Sequence, residues 1–163
     1  MWLEDLLDRC AALETRTATL YRSFAAASRS HPDLCALWTA LAREEETHAH
    51  AIAIARQRCG RPSLSQTRLD GWSEALAEVE RRLEAGERLG PAPRPEDQLG
   101  AALAIEASEI DAMRDQVLRA TAAPAIPEAD HAERLASAAA AYDDPELQLQ
   151  AALIRARARL ARG

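Results

Sequence analysis

The chain has few aromatic residues, few β-branched residues and no long apolar run. Phe, Trp and Tyr make up only 4% of its 163 residues, although 48% of the residues are hydrophobic. Most of the apolar content is therefore alanine and leucine. Because these residues favour helices over strands, the composition predicts an all-α protein. A chain of this length fits one domain with an adequate core, so we expect a single domain over 1–163.

The cysteines and the amino terminus exclude several other classes of protein. Cys10, Cys35 and Cys59 are far apart and form no Cys-x-x-Cys pair, which argues against a disulfide framework, a zinc knuckle and a rubredoxin-type iron site. The first residues lack the basic-then-apolar layout of a signal peptide, and no apolar run reaches the length of a membrane span. A net charge of −6 gives little support for nucleic-acid binding. We expect a soluble cytoplasmic protein with no membrane or nucleic-acid partner.

Apolar residues recur at intervals of three and four along most of the chain, which is the period of a buried helix face. Proline and glycine divide this pattern into segments. The predicted elements are helix A at 2–29, helix B at 32–58, a crossover helix at 69–88, helix C at 96–122, and C-terminal helices at 127–142 and 145–161. The short connection between helices A and B predicts that they are antiparallel neighbours.

Helix B carries a carboxylate and an imidazole inside its apolar stripe. Leu41 and Ile52 belong to that stripe, and Glu45-x-x-His48 occupies the positions between them. Buried ionisable groups are costly unless they are paired or bound to a metal. A Glu and a His one turn apart, both facing a core, are the ligands that a metal ion within a helix bundle needs.

Other carboxylates interrupt the stripes of helices A and C in the same way. Glu14 occupies a core-facing position of helix A, and Glu106 does so in helix C, with Glu109 one turn later on nearly the same face. Two divalent cations would balance the negative charge of four converging carboxylates. The candidate metal ligands are therefore Glu14, Glu45, His48, Glu106 and Glu109. The alternative is that fewer of these side chains converge and that His48 is a hydrogen-bonded core histidine.

This set of motifs resembles the rubrerythrin branch of the ferritin-like superfamily. Helix A of that family gives a Glu with a Tyr seven residues later, as Glu14 and Tyr21 stand here, although we expect Tyr21 to be a core residue. Helix B gives Glu-x-x-His, and helix C gives Glu-x-x-Glu, as at Glu106 and Glu109. The resemblance covers 2–58 and about 96–122. It implies a ferritin-like four-helix bundle with a long crossover between helices B and C that contains an extra helix.

The resemblance also implies a pair of iron ions that react with peroxide or dioxygen. Glu14, Glu45 and His48 would be ligands, with Glu45 and Glu106 as bridges and Glu109 as a redox-dependent ligand. Mn or Zn suits the same ligands. An external electron donor would be needed because rubredoxin cysteines are lacking. The alanine-rich stretch at 138–141 favours close packing, and we expect a homodimer.

The last helices depart from the family pattern, which needs a second Glu-x-x-His. Aligning Pro127 or Pro145 with the proline that opens helix B places no such pair at the equivalent positions. Glu128-x-x-His131 exists, but it lies at the start of its helix, whereas a ligand at the centre of a bundle should lie well inside, and Asp143 is an equally weak candidate. Two functions stay open: a carboxylate-bridged iron oxidoreductase of peroxidase or ferroxidase type, and a degenerate helical module for protein interaction or dimerisation.

Overall fold

In the computed structural model, residues 1–58, 71–108 and 130–162 are described, with side chains as far as Arg157. These residues form helices and connecting turns, so the predicted all-α class is confirmed for them. The helices are α1 (Leu3–Ala27), α2 (Pro32–Arg58), α3 (Trp72–Glu87), α4 (Pro95–Glu106), α5 (His131–Ala139) and α6 (Pro145–Arg162). No helix among the described residues combines the length and apolarity needed to cross a membrane.

The observed bounds lie within three residues of the predicted ones for helices A and B, the crossover helix and the last helix, whereas helix C and the helix predicted at 127–142 differ more. Helix α2 begins and ends where helix B was predicted, and the side chain of Asp144 caps α6 by accepting hydrogen bonds from the amides of Glu146 and Leu147. Helix α4, in contrast, ends at Glu106 in a turn over 107–108, where the amide of Ser108 bonds the carbonyl of Ile105. The prediction of one helix to residue 122 is wrong at this turn, and 109–122 lies outside the described residues.

The core is organised around the antiparallel pair formed by α1 and α2. Three aromatic side chains pack between these helices: the ring centroids of Tyr21 and Trp38 lie 5.6 Å apart, and those of Phe24 and Trp38 lie 5.3 Å apart. All three are fully buried. The expectation that Tyr21 belongs to the core is therefore confirmed.

The short helix α5 runs alongside the first half of α2 in the opposite direction. Its first residue, His131, contacts Glu44 and Glu45 near the middle of α2. Its other end, at Ala138 and beyond, shares a groove with residues 30–37 at the start of α2. Because α5 covers only half of α2, its amino-terminal end lies at the level of the middle of the long helices.

Helix α3 packs against both α1 and α4 through a glycine. A Cβ atom built on Gly86 would lie 2.8 Å from Cδ2 of Leu20 and 3.5 Å from Cβ of Ala101. The crossover segment is thus held close to both neighbouring helices at this point. A larger side chain would have to displace the side chain of Leu20.

We expect Gly86→Val to destabilise the protein by about 1–3 kcal/mol relative to Gly100→Val, because overpacking forces neighbours apart. Both glycines lie in helices, but a Cβ on Gly100 meets only Oε1 of Gln150 at 3.8 Å. Both variants replace a helical glycine by valine, so the change in helix propensity is the same. The difference between their free energies of unfolding therefore reports the steric effect. Urea denaturation measures it, and equal free energies of unfolding for the two variants would contradict the close packing at Gly86.

Candidate metal centre

Three carboxylates and two imidazoles from four helices meet in the interior. Helix α1 contributes Glu14, α2 contributes Glu45 and His48, α4 contributes Glu106, and α5 contributes His131. We call these five residues the Glu45 cluster. The side chains are between 2% and 6% exposed, so the cluster is almost completely withdrawn from solvent.

The first half of the Glu45 cluster surrounds His48. Its Nδ1 atom lies 2.9 Å from Oε2 of Glu45, to which an Nδ1–H group donates a hydrogen bond, and 3.8 Å from Oε2 of Glu14. Glu45 and His48 are three residues apart on one helix, and the antiparallel helix α1 brings Glu14 against them. These three residues form one group whose ligand atoms all lie within 4.8 Å of one another.

The second half of the Glu45 cluster surrounds His131 in a similar way. Its Nδ1 atom lies 3.3 Å from Oε1 of Glu106 and 3.4 Å from Oε1 of Glu45. Glu106 is the last residue of α4, and His131 is the first residue of α5. Glu45, Glu106 and His131 form a second group, whose ligand atoms likewise lie within 4.8 Å of one another.

Glu45 belongs to both groups and uses a different oxygen in each. Its Oε2 atom faces His48, and its Oε1 atom faces His131. The two imidazole rings lie on either side with centroids 5.6 Å apart. Each histidine therefore faces one oxygen of the shared carboxylate and one oxygen of a carboxylate of its own, Glu14 or Glu106.

The donor set and its spacing fit first-row metal ions. Carboxylate and imidazole groups bind iron, manganese and zinc. Around an ion with bonds of about 2.1 Å, neighbouring ligand atoms lie about 3.0–3.4 Å apart, whether the geometry is octahedral or tetrahedral. The nitrogen–oxygen distances of 2.9–3.8 Å in the first group and 3.3–3.4 Å in the second lie around these values. Glu106 also lies at the carboxyl end of α4, where the helix dipole favours a cation.

Glu44 and Arg134 hold the outer side of His131. The Nε2–H group of His131 donates a hydrogen bond of 2.6 Å to Oε2 of Glu44, and Arg134 donates to the same oxygen. A hydrogen bond at Nε2 fixes the ring orientation and leaves Nδ1 directed at Glu45 and Glu106. Glu44 is thus part of the site.

Burial and the surrounding carboxylates act in opposite directions on His131. Burial is the largest influence and lowers its pKa, but hydrogen bonds and charge from Glu106 and Glu44 outweigh it, so the pKa of His131 is raised. Burial likewise acts to raise the pKa of Glu44, but Arg134 and His131 lower it overall. A positive charge at His131 is therefore stabilised by its neighbours, and a metal ion could take the same place.

Four of the five predicted ligands come together in the Glu45 cluster. They are Glu14, Glu45, His48 and Glu106. Glu109, the fifth, lies outside the described residues, as does Glu128. Asp143 is exposed in the turn before α6 and belongs to neither group of ligand atoms.

The sequence argument against His131 was wrong about its place in the fold. A residue at the start of a helix was expected to lie away from the bundle centre. Helix α5 is only nine residues long, however, and starts at the level of Glu45, so its first residue reaches the centre. The second Glu-x-x-His motif, at 128–131, could have identified His131 as a candidate ligand.

In metal-free protein, we expect the stabilising effect of His131 to decline as the pH rises. The pKa of His131 is raised in the folded protein. Its contribution to the free energy of unfolding is therefore complete below the ordinary histidine pKa of about 6.5 and is lost as the pH rises through the pKa of the folded state. Each unit of pKa shift corresponds to about 1.4 kcal/mol. Urea denaturation between pH 6 and 9, in chelator, should show wild type losing stability relative to His131→Asn. A stability advantage of wild type over His131→Asn that grows as the pH rises would contradict the raised pKa of His131.

A scan against protein-family models finds no match for this chain, and searches of curated proteins and of solved structures find no significant match either.

Proposed function

We propose that the Glu45 cluster binds two metal ions and that the protein is a carboxylate-bridged iron oxidoreductase acting on peroxide or dioxygen. The observation that carries this proposal is the position of Glu45 between two histidines, with one carboxylate oxygen facing each. A carboxylate that belongs to two adjacent groups of ligand atoms is suited to bridge two cations.

The charge of the cluster supports two cations as well. When ionised, its three carboxylates carry three negative charges inside the protein, which is costly without compensation. Protonated histidines supply at most two positive charges. Two divalent ions would supply four and would take up the lone pairs of the carboxylates and imidazoles together.

Each half of the cluster would hold one ion with its own pair of residues. Glu14 and His48 would hold the first, Glu106 and His131 the second, and Glu45 both. Bound iron supplies the one-electron changes that reduction of an O–O bond requires. Glu44 orients the ring of His131 through Nε2, and the burial of all five side chains excludes bulk water.

The ferritin-like fold and the iron assignment are parts of this proposal. Ligands from α1, α2, α4 and α5, with α3 lying in the long connection between α2 and α4, follow the arrangement expected for a rubrerythrin-like protein. The electrons would come from an external donor. Manganese or zinc also suits the ligand set.

We expect about two metal ions per chain after reconstitution with ferrous iron under anaerobic conditions. His48→Ala and His131→Ala should each remove about one ion, because the two histidines lie in different groups. Glu45→Ala should remove both. Metal analysis after gel filtration measures the ratio, and His50→Ala is the matched control because His50 is an exposed histidine two residues after His48.

The same experiment decides between the two functions. Wild-type protein that binds no metal and gains no thermal stability from iron would overturn the proposal and favour a helical interaction module. Loss of both ions from His48→Ala alone would contradict the division into two halves. Peroxide consumption by the ferrous protein, absent in Glu45→Ala, separates a redox enzyme from a protein that merely binds metal.

We expect Glu44→Gln to weaken binding of the second ion about 10–100-fold, since losing the carboxylate partner of a metal-binding histidine typically has this effect. Binding of the first ion should change little because Glu44 contacts His131 and not His48. Isothermal titration at controlled pH resolves the two steps. Glu46→Gln is the control on the exposed side of α2. Equal effects of the two substitutions would contradict the role of Glu44.

A further inference from the structure

Helix α6 has apolar residues on two opposite faces. One face packs into the core through Leu147, Ala151 and Ile154. The opposite face carries Leu149 and Leu153, which are 60% and 62% exposed. They are the two most exposed of the large hydrophobic residues in the described part of the chain. A helix that is apolar on both faces is typical of one buried between two partners.

The exposed face of α6 is a continuous stripe. Leu149, Ala152, Leu153 and Ala156 are all exposed, and their spacing of three and four places them on one side of the helix. We call these four residues the α6 stripe. Single exposed leucines are ordinary on protein surfaces, but a contiguous apolar stripe marks an interaction surface.

We propose that the α6 stripe is the interface with a second copy of this chain, paired antiparallel about a two-fold axis. The pattern of large and small residues is self-complementary in a register centred between Ala152 and Leu153. In that register Leu149 lies opposite Ala156 of the second copy, and Leu153 lies opposite Ala152. Because a two-fold interface pairs each contact with its reciprocal, one sequence satisfies both sides.

The charges beside the α6 stripe favour the same pairing. Glu146 and Arg157 are exposed and lie about three turns apart on the same flank of the stripe. Antiparallel two-fold pairing brings equal flanks together, so Glu146 of each copy comes next to Arg157 of the other, at both ends of the interface. In a parallel two-fold pair, equal flanks lie on opposite sides of the interface, so Glu146 of one copy would not lie next to Arg157 of the other. The helix dipoles of a parallel pair also point the same way and repel each other, whereas those of an antiparallel pair attract.

We expect weak dimerisation, because a single helix pair is a small interface. Sedimentation velocity should detect the dimer as the protein concentration is raised to roughly 100 µM. Leu149→Gln with Leu153→Gln should raise the dissociation constant at least tenfold. Ala53→Gln is the control, because Ala53 is an exposed apolar residue on α2, outside the proposed interface. The substituted positions are all exposed, and circular dichroism verifies that the variants remain folded.

Charge exchange and cross-linking test the antiparallel register. Glu146→Arg should weaken the dimer, and adding Arg157→Glu should restore it. The chain has no lysine, so cross-linking uses cysteine. Both cysteine variants carry serine at Cys35 and Cys59. Position 152 lies next to the two-fold axis, so Ala152→Cys should form an intermolecular disulfide. Ala156→Cys should not, because position 156 is farther from the axis and a disulfide needs Cα atoms within about 7 Å.

Three results would overturn this inference. The first is a protein that stays monomeric at every concentration, and the second is a dimer that survives both leucine substitutions. The third is disulfide formation by both cysteine variants, which would indicate parallel pairing. A monomer would leave the stripe to another occupant, such as a different protein or the part of this chain at 109–129. None of these results bears on metal binding, because the α6 stripe shares no residue with the Glu45 cluster.

Discussion

The structure depends on how the core accommodates the buried carboxylate of Glu45. Its two oxygens face His48 and His131, and further carboxylates approach from α1 and α4. An apolar side chain at this position would pack without any such arrangement, so the polar cluster reduces stability unless something compensates its charge. The proposed metal ions would supply that compensation, and they would give a reason for a polar centre in a core made mostly of leucine and alanine.

The helices bring the five side chains of the Glu45 cluster to one level in two different ways. The long helices α1 and α2 present Glu14 and Glu45 from their interiors, and packing of the whole helix faces fixes these positions. Helices α4 and α5 instead present residues from their ends, Glu106 and His131. Contacts outside the cluster hold these ends, as when Glu44 and Arg134 fix the ring of His131.

The periodic pattern allowed most of the helices and four of the five residues of the Glu45 cluster to be predicted. Glu14, Glu45 and His48 lie inside long, regular stripes, where helical periodicity assigns a face directly. His131 could not be placed in this way, because its role depends on where a short helix starts relative to its neighbours, which is a tertiary property. Glu44 was missed for a related reason: its partners His131 and Arg134 are distant in sequence, so local spacing gave no sign of them.

The most direct test of the central claim is the anomalous scattering of crystals grown with ferrous iron or manganese. We expect two peaks about 3.5–4 Å apart, the usual separation in two-metal sites, on either side of the Glu45 carboxylate. One peak should lie beside His48 and the other beside His131. The absence of any peak at the cluster, or a single peak bound by only one of the histidines, would contradict a carboxylate-bridged pair.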